Sequence, residues 1–285
     1  MEITKLWQPY NIELHKELKI MMHFSPDDKF LITLNIRNSE GKILKEYKLN
    51  EGEIITGKTS LLLDFSFIFE KEMQKSVKGL VGATFVSDKC YTGEAGCYYL
   101  TNKGFTYVTS TPLPKINNNP NKSGRYRGFS VHLVDEAIKN TGLVLINIST
   151  NPNYDKSANY LYEIVDKTGK TIKKDAITIP PFGTAWIDVD ISNLIKRKQK
   201  MYTMFGNCDE SSMISFLYTV MKNGCIGVDH TQPPLTQIMY GADTNSNLKG
   251  IYLKLKEKIN RKIRYKLNYF EEGSLKSLLW KKIGF

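Results

Sequence analysis

One turn sequence occurs twice in this chain. It reads Asn38-Ser39-Glu40-Gly41-Lys42-Ile43-Leu44-Lys45 and returns as Lys167-Thr168-Gly169-Lys170-Thr171-Ile172-Lys173, so that Gly41 matches Gly169 at an offset of 128 residues. Further matches at that offset are Gly96-Cys97 with Gly224-Cys225, Ile20 with Ile148, and Asp27 with Asp155. Self-similarity at a long fixed period indicates a duplicated folding unit.

The residues around each turn have the pattern of a β-hairpin. Before the first turn, every second residue is apolar: Phe30, Ile32, Leu34 and Ile36. This period of two predicts a strand with one buried face, and residues 43–49 then form the returning strand. The second copy repeats the layout, with Tyr160, Tyr162 and Ile164 before the turn and a returning strand at 171–179.

Short strands separated by turns are predicted along most of the chain. Besides the hairpins, they cover 18–24, 80–86, 97–101, 143–149, 183–189, 215–221 and 225–230. The stretch 109–124 is rich in Pro, Asn and Gly and predicts a linker. The sequence therefore predicts an all-β fold of two tandem antiparallel β-sandwich repeats, at 1–110 and 125–242.

The composition is that of a soluble globular protein. The 285 residues are 41% hydrophobic and 24% charged, and no stretch approaches the ~20 apolar residues that span a bilayer. The first ten residues carry Glu2 and Lys5 and lack the apolar run of a secretory signal. We expect a cytoplasmic location, where the four cysteines, which lack Cys-x-x-Cys spacing, are free thiols.

Most of the net charge of +11 lies at the C-terminal end of the sequence. Residues 248–285 contain 11 Lys or Arg and 3 Glu, and Leu255, Ile259, Ile263 and Leu267 recur every four positions. This pattern predicts a basic amphipathic helical tail, followed by a second short helix at 275–283. The tail either binds an anionic membrane surface or packs on the body of the protein. The residues expected to contact a membrane are Lys258, Arg261, Lys262 and Trp280.

The second unit resembles the small β-sandwich of the bacterial sensory rhodopsin transducer proteins. The residues that carry this resemblance are Gly183-Thr184-Ala185-Trp186-Ile187 and the strand pair that ends in Val228-Asp229-His230-Thr231-Gln232. The resemblance implies a soluble homo-oligomer that binds partners or sugar-like ligands. This chain departs from the family by its second copy and its basic tail.

Two stretches carry candidate ligand-binding residues. The first contains Asp229, His230 and Gln232 at the end of a predicted strand, where His230 is either a general base or a structural loop histidine. The second contains Arg125, Arg127 and His132, where the two arginines either clamp an anion or face solvent on an edge strand.

Motifs for metals, dinucleotides and serine nucleophiles are missing from the sequence. The four histidines are far apart, and Gly-x-Gly-x-x-Gly and Gly-x-Ser-x-Gly do not occur. We therefore expect no metal and no cofactor. Nucleic acid is not an expected partner, because the body of the chain is nearly neutral.

These residues are compatible with two functions. The first is a non-enzymatic binding or scaffolding protein for a small anionic or carbohydrate ligand, with possible membrane association through the tail. The alternative is an enzyme acting on a small polar or carbohydrate substrate at the interface of the repeats, with His230 as general base and Arg127 as anion clamp.

Overall fold

The computed structural model has an antiparallel all-β fold, which confirms the predicted fold class. The residues that the structure describes are 2–23, 30–49, 60–65, 76–88, 95–110, 113–114, 126–149, 153–189, 191–208, 211 and 213–230. The predicted helical tail at 248–285 lies outside them, as do residues 231–247 of the second predicted repeat.

Residues 2–114 form a first unit of two sheets. Its strands are β1 (Glu2–Asn11), β2 (Glu17–His23), β3 (Leu31–Asn38), β4 (Ile43–Leu49), β5 (Ser60–Asp64), β6 (Lys78–Ser87), β7 (Ala95–Thr101), β8 (Gly104–Ser110) and β9 (Leu113–Pro114). Sheet 1 has the order β4-β3-β6-β1-β9, and sheet 2 has the order β5-β2-β7-β8.

Residues 126–230 form a second unit, also of two sheets. Its elements are β10 (Tyr126–Leu133), β11 (Ile138–Ile146), β12 (Ala158–Asp166), β13 (Thr171–Ile179), β14 (Thr184–Val189), α1 (Ile191–Lys196), β15 (Met201–Cys208), β16 (Ile214–Met221) and β17 (Ile226–His230). Sheet 3 has the order β10-β15-β12-β13, and sheet 4 has the order β14-β11-β16-β17.

The two units share one strand order. When β10 to β17 are matched in sequence with β1 to β8, sheet 3 reproduces sheet 1 without β9, and sheet 4 reproduces sheet 2. The paired residues then define equivalent positions in the two units. Duplication of an ancestral module is a proposal that this shared order supports.

The turn between β3 and β4 is held by the Asn38 side chain. Its oxygen accepts hydrogen bonds from the N–H groups of Glu40 (3.2 Å) and Lys42 (2.8 Å), while the Asn38 N–H donates to the Lys42 carbonyl at 3.1 Å. Gly41 has φ +83°, a left-handed conformation that side chains with a Cβ rarely adopt.

The turn between β12 and β13 has the same geometry. The Asp166 carboxylate accepts from the N–H groups of Thr168 (2.8 Å) and Lys170 (3.0 Å), and Gly169 has φ +78°. In each hairpin the pairing shifts register directly before the turn, between Ile36 and Arg37 and between Ile164 and Val165. Gly41 and Gly169 therefore occupy equivalent turns, as the sequence predicted.

The offset of 128 residues does not extend to the other predicted matches. Gly96 lies inside β7, whereas Gly224 lies in the turn after β16 with φ +89°, so the matching of these glycines was wrong. Ile20 lies in the middle of β2, but Ile148 follows the end of β11. Loops of different length in the two units change the offset from strand to strand.

Most predicted strands are confirmed, but several elements were missed. β1, β5, β8, β9, β15 and α1 were not predicted, and β11 begins at Ile138 rather than at Leu143. The predicted linker at 109–124 contains the end of β8 and the short strand β9. β1 is buried on both faces, because Leu6 packs in the first sandwich and Trp7 packs toward the second unit. A strand buried on both sides lacks the polar alternation that identifies a half-exposed strand.

The hydrophobic core of the first sandwich continues into the second unit. Val144, Phe216 and Tyr218 of sheet 4 belong to the same buried cluster as Leu6 and Ile32. The opposite face of sheet 4 packs inside the second sandwich, for example through Leu143 and Leu145. Sheet 4 is therefore buried on both faces and forms much of the junction between the units.

Candidate anion-binding site at the junction of the two units

Two cationic side chains lie on the outer face of sheet 1, where the second unit covers it. Lys5 on β1 is 9% exposed, and Arg37 on β3 is half-buried. One Arg37 Nη donates a hydrogen bond to the Gly41 carbonyl at 2.7 Å, and its Nε is buried without a hydrogen-bond partner. Among the described residues, no carboxylate forms a salt bridge with Lys5 or Arg37.

Two aromatic rings, one from each unit, lie against these cations. Trp7 of β1 and Phe182 of the second unit have ring centroids 5.8 Å apart. The Arg37 guanidinium carbon is 4.5 Å from the Phe182 centroid, and Lys5 Nζ is 5.8 Å from it. Both cations are also 5.9 Å from the Trp7 centroid. Such contacts stabilise a partly buried cation but do not neutralise it.

The surroundings of Lys5 and Arg37 lower the pKa of both side chains. Burial, and secondarily the charge of Arg37, lower the pKa of Lys5 to about 8. Burial also lowers the pKa of Arg37, with the Glu46 carboxylate acting in the opposite direction. The guanidinium nevertheless stays charged, because its pKa begins so high. At neutral pH the site therefore holds two positive charges side by side.

Phe182 is held in place by a network around Asn147. The Asn147 side-chain amide donates to the carbonyls of Ile179 (3.0 Å) and Pro180 (3.1 Å), and the backbone N–H of Phe182 donates to the Asn147 carbonyl at 2.7 Å. Phe182 has φ +58°, which is uncommon for a residue with a bulky side chain. Strained backbone of this kind is concentrated at functional sites.

The predicted ligand residue His132 is a core residue in the structure. It is 1% exposed, and its ring nitrogens lie 2.7 Å from Ser130 Oγ and 3.1 Å from Thr141 Oγ1. The ring stacks on Tyr202 at a centroid distance of 4.4 Å, and burial lowers the pKa of His132 to about 3. His132 is therefore neutral and shielded from solvent.

The structure does not bring the predicted site residues together. His132 and Arg127 lie on β10 in sheet 3, whereas Asp229 and His230 lie on β17 in sheet 4, the opposite layer of the same sandwich. Asp229 is exposed, and the backbone of His230 is paired with Phe216. Arg125 and Gln232 lie outside the described residues, so their predicted roles, like those of Arg127 and His230, stay predictions.

Arg127 has a counterpart that the sequence did not reveal. Asn207 of β15 pairs with Arg127 on one side and Leu161 on the other, as Thr84 of β6 pairs with Lys5 and Thr33. Arg127 in β10 therefore occupies the position that Lys5 occupies in β1. Lys5 was not predicted as a site residue because it lies in the strand that the sequence analysis missed. The sequence pattern that marks Lys5 is a lysine two residues from a tryptophan, in Lys5-Leu6-Trp7. This pattern indicates a binding site only after the fold places Arg37 beside Lys5.

A pocket between the units is too small for a sugar. It is lined by apolar residues that include Pro9, Val144 and Trp186, and its free volume is about 10 Å³. This is roughly the space that one water molecule needs.

Other functional predictions concern parts of the chain that the structure does not describe. Lys258, Arg261, Lys262 and Trp280 all lie there, so membrane contact by the tail stays a prediction. Within the described residues, no cluster of His, Cys, Asp and Glu could hold a metal ion. Among the described residues, no helix has the length and apolar character needed to cross a membrane.

Comparison with known proteins identifies no family for this chain. No protein-family model matches the sequence, and no curated protein matches it. Among solved structures, it is similar to a Streptomyces avermitilis α-L-rhamnosidase complexed with L-rhamnose, at 6% identity and a TM-score of 0.25, over 81% of this chain and 26% of the other. A glycosyl hydrolase family 2 member from Bacteroides cellulosilyticus matches at 9% identity and a TM-score of 0.18, over 80% and 26%.

These similarities are too weak to support a function. The chain spans about a quarter of the length of the two hydrolases. At such TM-scores the likeness carries no argument about fold or activity.

Proposed function

We propose that this protein is a non-enzymatic binding protein for an anionic, sugar-like ligand, which Lys5 and Arg37 hold at the junction of the two units. The observation that carries this proposal is a pair of adjacent cations that form no salt bridge with a described carboxylate, although Glu46 attracts Arg37 from a greater distance. An anion beside both side chains would offset their mutual repulsion, and the half-buried Arg37 leaves it a route from solvent.

The donors of the site suit a carboxylate or phosphate group. A guanidinium offers several N–H groups in a plane, and the buried Arg37 Nε lacks a partner in the protein. The Lys5 ammonium supplies a second charge whose direction can adapt to the ligand. We therefore expect the ligand to present at least two oxygen atoms of one oxyanion.

The aromatic rings support a sugar as the carrier of that oxyanion. Trp7 and Phe182 provide apolar faces beside the cations, and Trp7 Nε1 is a buried donor without a partner. An aromatic face beside polar groups suits the mixed apolar and hydroxyl surface of a sugar ring. Acidic sugars and sugar phosphates combine both features.

Calorimetric titration with glucuronate, glucose and inorganic phosphate tests this proposal. We expect glucuronate to bind, phosphate to bind more weakly, and glucose not to bind. Lys5→Met and Arg37→Met should each reduce glucuronate affinity by at least about tenfold, since each removes one charged hydrogen bond. Phe182→Ala should reduce it less, by about threefold to tenfold.

Lys45→Met is the matched control. Lys45 Nζ lies 4.6 Å from the Tyr47 centroid, so this variant also removes a lysine that lies over an aromatic ring, but on the face of sheet 1 opposite to Arg37. Its affinity for glucuronate should equal that of the wild type. Equal binding of glucuronate by wild type, Lys5→Met and Arg37→Met, or no binding of any anion by the wild type, would contradict the proposal.

A further inference from the structure

The contact between the two units uses one particular face of sheet 4. This face contains Val144, Trp186, Tyr218, Ile226 and Val228, and it lies against residues of the first unit that include Pro9 and Leu14. A hydrogen bond from the backbone N–H of Val228 to the side-chain Oγ1 of Thr106 (3.3 Å) links β17 with β8 across the same contact. The chain therefore already contains one complete interface between a sheet 4 face and the unit that precedes it.

The equivalent face of sheet 2 in the first unit is more exposed. Tyr98 pairs with Tyr107 as Tyr218 pairs with Val228 in the second unit. Tyr107 is 47% exposed, Phe105 is 66% exposed and Leu62 is 57% exposed. Tyr98 lies beside both exposed rings, with its centroid 5.0 Å from Tyr107 and 6.0 Å from Phe105. We call these four residues the sheet 2 outer face.

The other half of the interface is also exposed in the second unit. Pro9 and Asn11 on β1 are buried, whereas their equivalents on β10, Val131 and Leu133, are 45% and 65% exposed. Met201, which pairs with Leu133, is 44% exposed. Another exposed leucine, Leu161, lies on the same side of the sheet. We call Val131, Leu133, Leu161 and Met201 the sheet 3 outer face.

We propose that copies of this chain associate head to tail, with the sheet 2 outer face of one copy packed on the sheet 3 outer face of the next. Each face is the equivalent of one side of the interface inside the chain, so the contact between copies would extend that interface. Most of the large exposed apolar side chains of the described residues lie on these two faces. Clustered exposed apolar residues are typical of protein interfaces.

The two faces are different surfaces, which determines the form of the assembly. A contact between unlike surfaces is heterologous, and it produces either a closed ring or an open chain of copies. A symmetric dimer would instead require one face to contact itself. This difference makes the proposal testable with two single variants.

Sedimentation velocity over a range of protein concentrations tests the proposal. The wild type should associate as its concentration rises, while Phe105→Glu and Leu133→Glu should each weaken association by at least about tenfold, because each places a charge inside an apolar contact. An equimolar mixture of the two variants should form dimers and nothing larger, since each variant retains one intact face.

Ile43→Glu is the matched control. Ile43 is 46% exposed on β4, away from both faces, and this variant should associate as the wild type does. Circular dichroism checks folding, and Tyr107→Ser with Val131→Ser repeats the mixing test with milder changes. A wild type that stays monomeric at all concentrations would overturn the proposal, and so would a mixture that stays monomeric while the wild type associates.

Discussion

The turns at 38–42 and 166–170 have the same backbone geometry and different surroundings. Both use an Asn or Asp side chain to accept two backbone N–H groups, and both place a glycine in the left-handed region. The first turn is covered by the second unit, since the Thr184 N–H donates to the Ser39 carbonyl at 2.9 Å. The hydrogen bonds of the Asp166 side chain in the second turn are exposed to solvent.

This difference shows how a repeated local structure acquires a role in only one copy. The first turn positions the Gly41 carbonyl, which accepts the hydrogen bond of Arg37, and it supports the bend that carries Phe182. The second turn closes β12 and β13, where β13 is mostly exposed. The same turn sequence therefore forms part of the junction in the first unit and lies at an exposed sheet edge in the second.

The largest expected effect comes from adding a methyl group to the glycine of each turn. In Gly41→Ala the new Cβ would lie 2.1 Å from the Pro181 carbonyl oxygen, in a backbone conformation that already disfavours alanine. We expect a loss of roughly 3 to 5 kcal/mol in the free energy of unfolding. Gly169→Ala should lose only about 1 kcal/mol from the same backbone conformation. Urea denaturation measures both, and equal losses would contradict the difference between the turns.

The next effect concerns the residue that holds the bend over the first turn. Asn147 is fully buried, and its side chain bonds Ile179, Pro180 and the hydroxyls of Tyr154 and Ser211. Asn147→Ala would leave these groups unpaired, and we expect a loss of roughly 3 kcal/mol. Because the bend carries Phe182, glucuronate affinity should fall as well.

Asn38→Ala is a useful comparison for that variant. It removes side-chain hydrogen bonds in the exposed part of the first turn and should cost only about 1 kcal/mol. Thermal denaturation and calorimetric titration measure the two effects. An Asn147→Ala variant with wild-type stability and affinity would show that the network does not position Phe182.

A smaller effect is the dependence of stability on alkaline pH. Lys5 has a folded pKa of about 8 against 10.5 for the free side chain, so between these values the unfolded chain binds more protons. The stability of the wild type should therefore rise from pH 8 to 10.5 relative to Lys5→Met, by roughly 2 to 3 kcal/mol. Below pH 8 the difference between the two should be constant. Parallel profiles of wild type and Lys5→Met across this window would contradict the burial of the charged amine.

The smallest effect distinguishes the acceptors of the two turns. Partial burial raises the pKa of Asp166, but the hydrogen bonds from Thr168 and Lys170 outweigh it and hold the pKa below its ordinary value. The charged Asp166 therefore stabilises the folded state above the ordinary pKa of 3.8, and this contribution is lost as the pH falls through the lower folded pKa. For so exposed a group the effect should be under about 0.5 kcal/mol.

Asp166→Asn places in the second turn the uncharged acceptor that Asn38 provides in the first. Acid denaturation of this variant should depend slightly less on pH than that of the wild type. Identical acid profiles would mean that the hydrogen bonds of the turn do not distinguish the charged from the neutral side chain.

The hairpins were predictable because local chemistry determines them. The alternation from Phe30 to Ile36 predicts the strand, and Gly41 predicts a turn with a left-handed backbone conformation. The prediction of two repeats was based on the return of that pattern at Gly169. These features depend on residues close together in the sequence.

The candidate site was not predictable in the same way. Lys5, Arg37 and Phe182 come from three distant segments, and nothing in the sequence of each segment specifies the others. β1 was not predicted because both of its faces are buried. Lys5, which lies on β1, was therefore not recognised as a site residue. His132 had the chemistry of a ligand residue, but its burial against Tyr202 depends on packing between strands.

Nuclear magnetic resonance titration of the Lys5 ammonium group, with and without glucuronate, tests the binding site most directly. We predict a pKa of about 8 in the free protein and a higher value when the anion is bound, because a neighbouring negative charge stabilises the protonated amine. A Lys5 pKa that does not change at saturating glucuronate, or that already has its ordinary value in the free protein, would contradict the account.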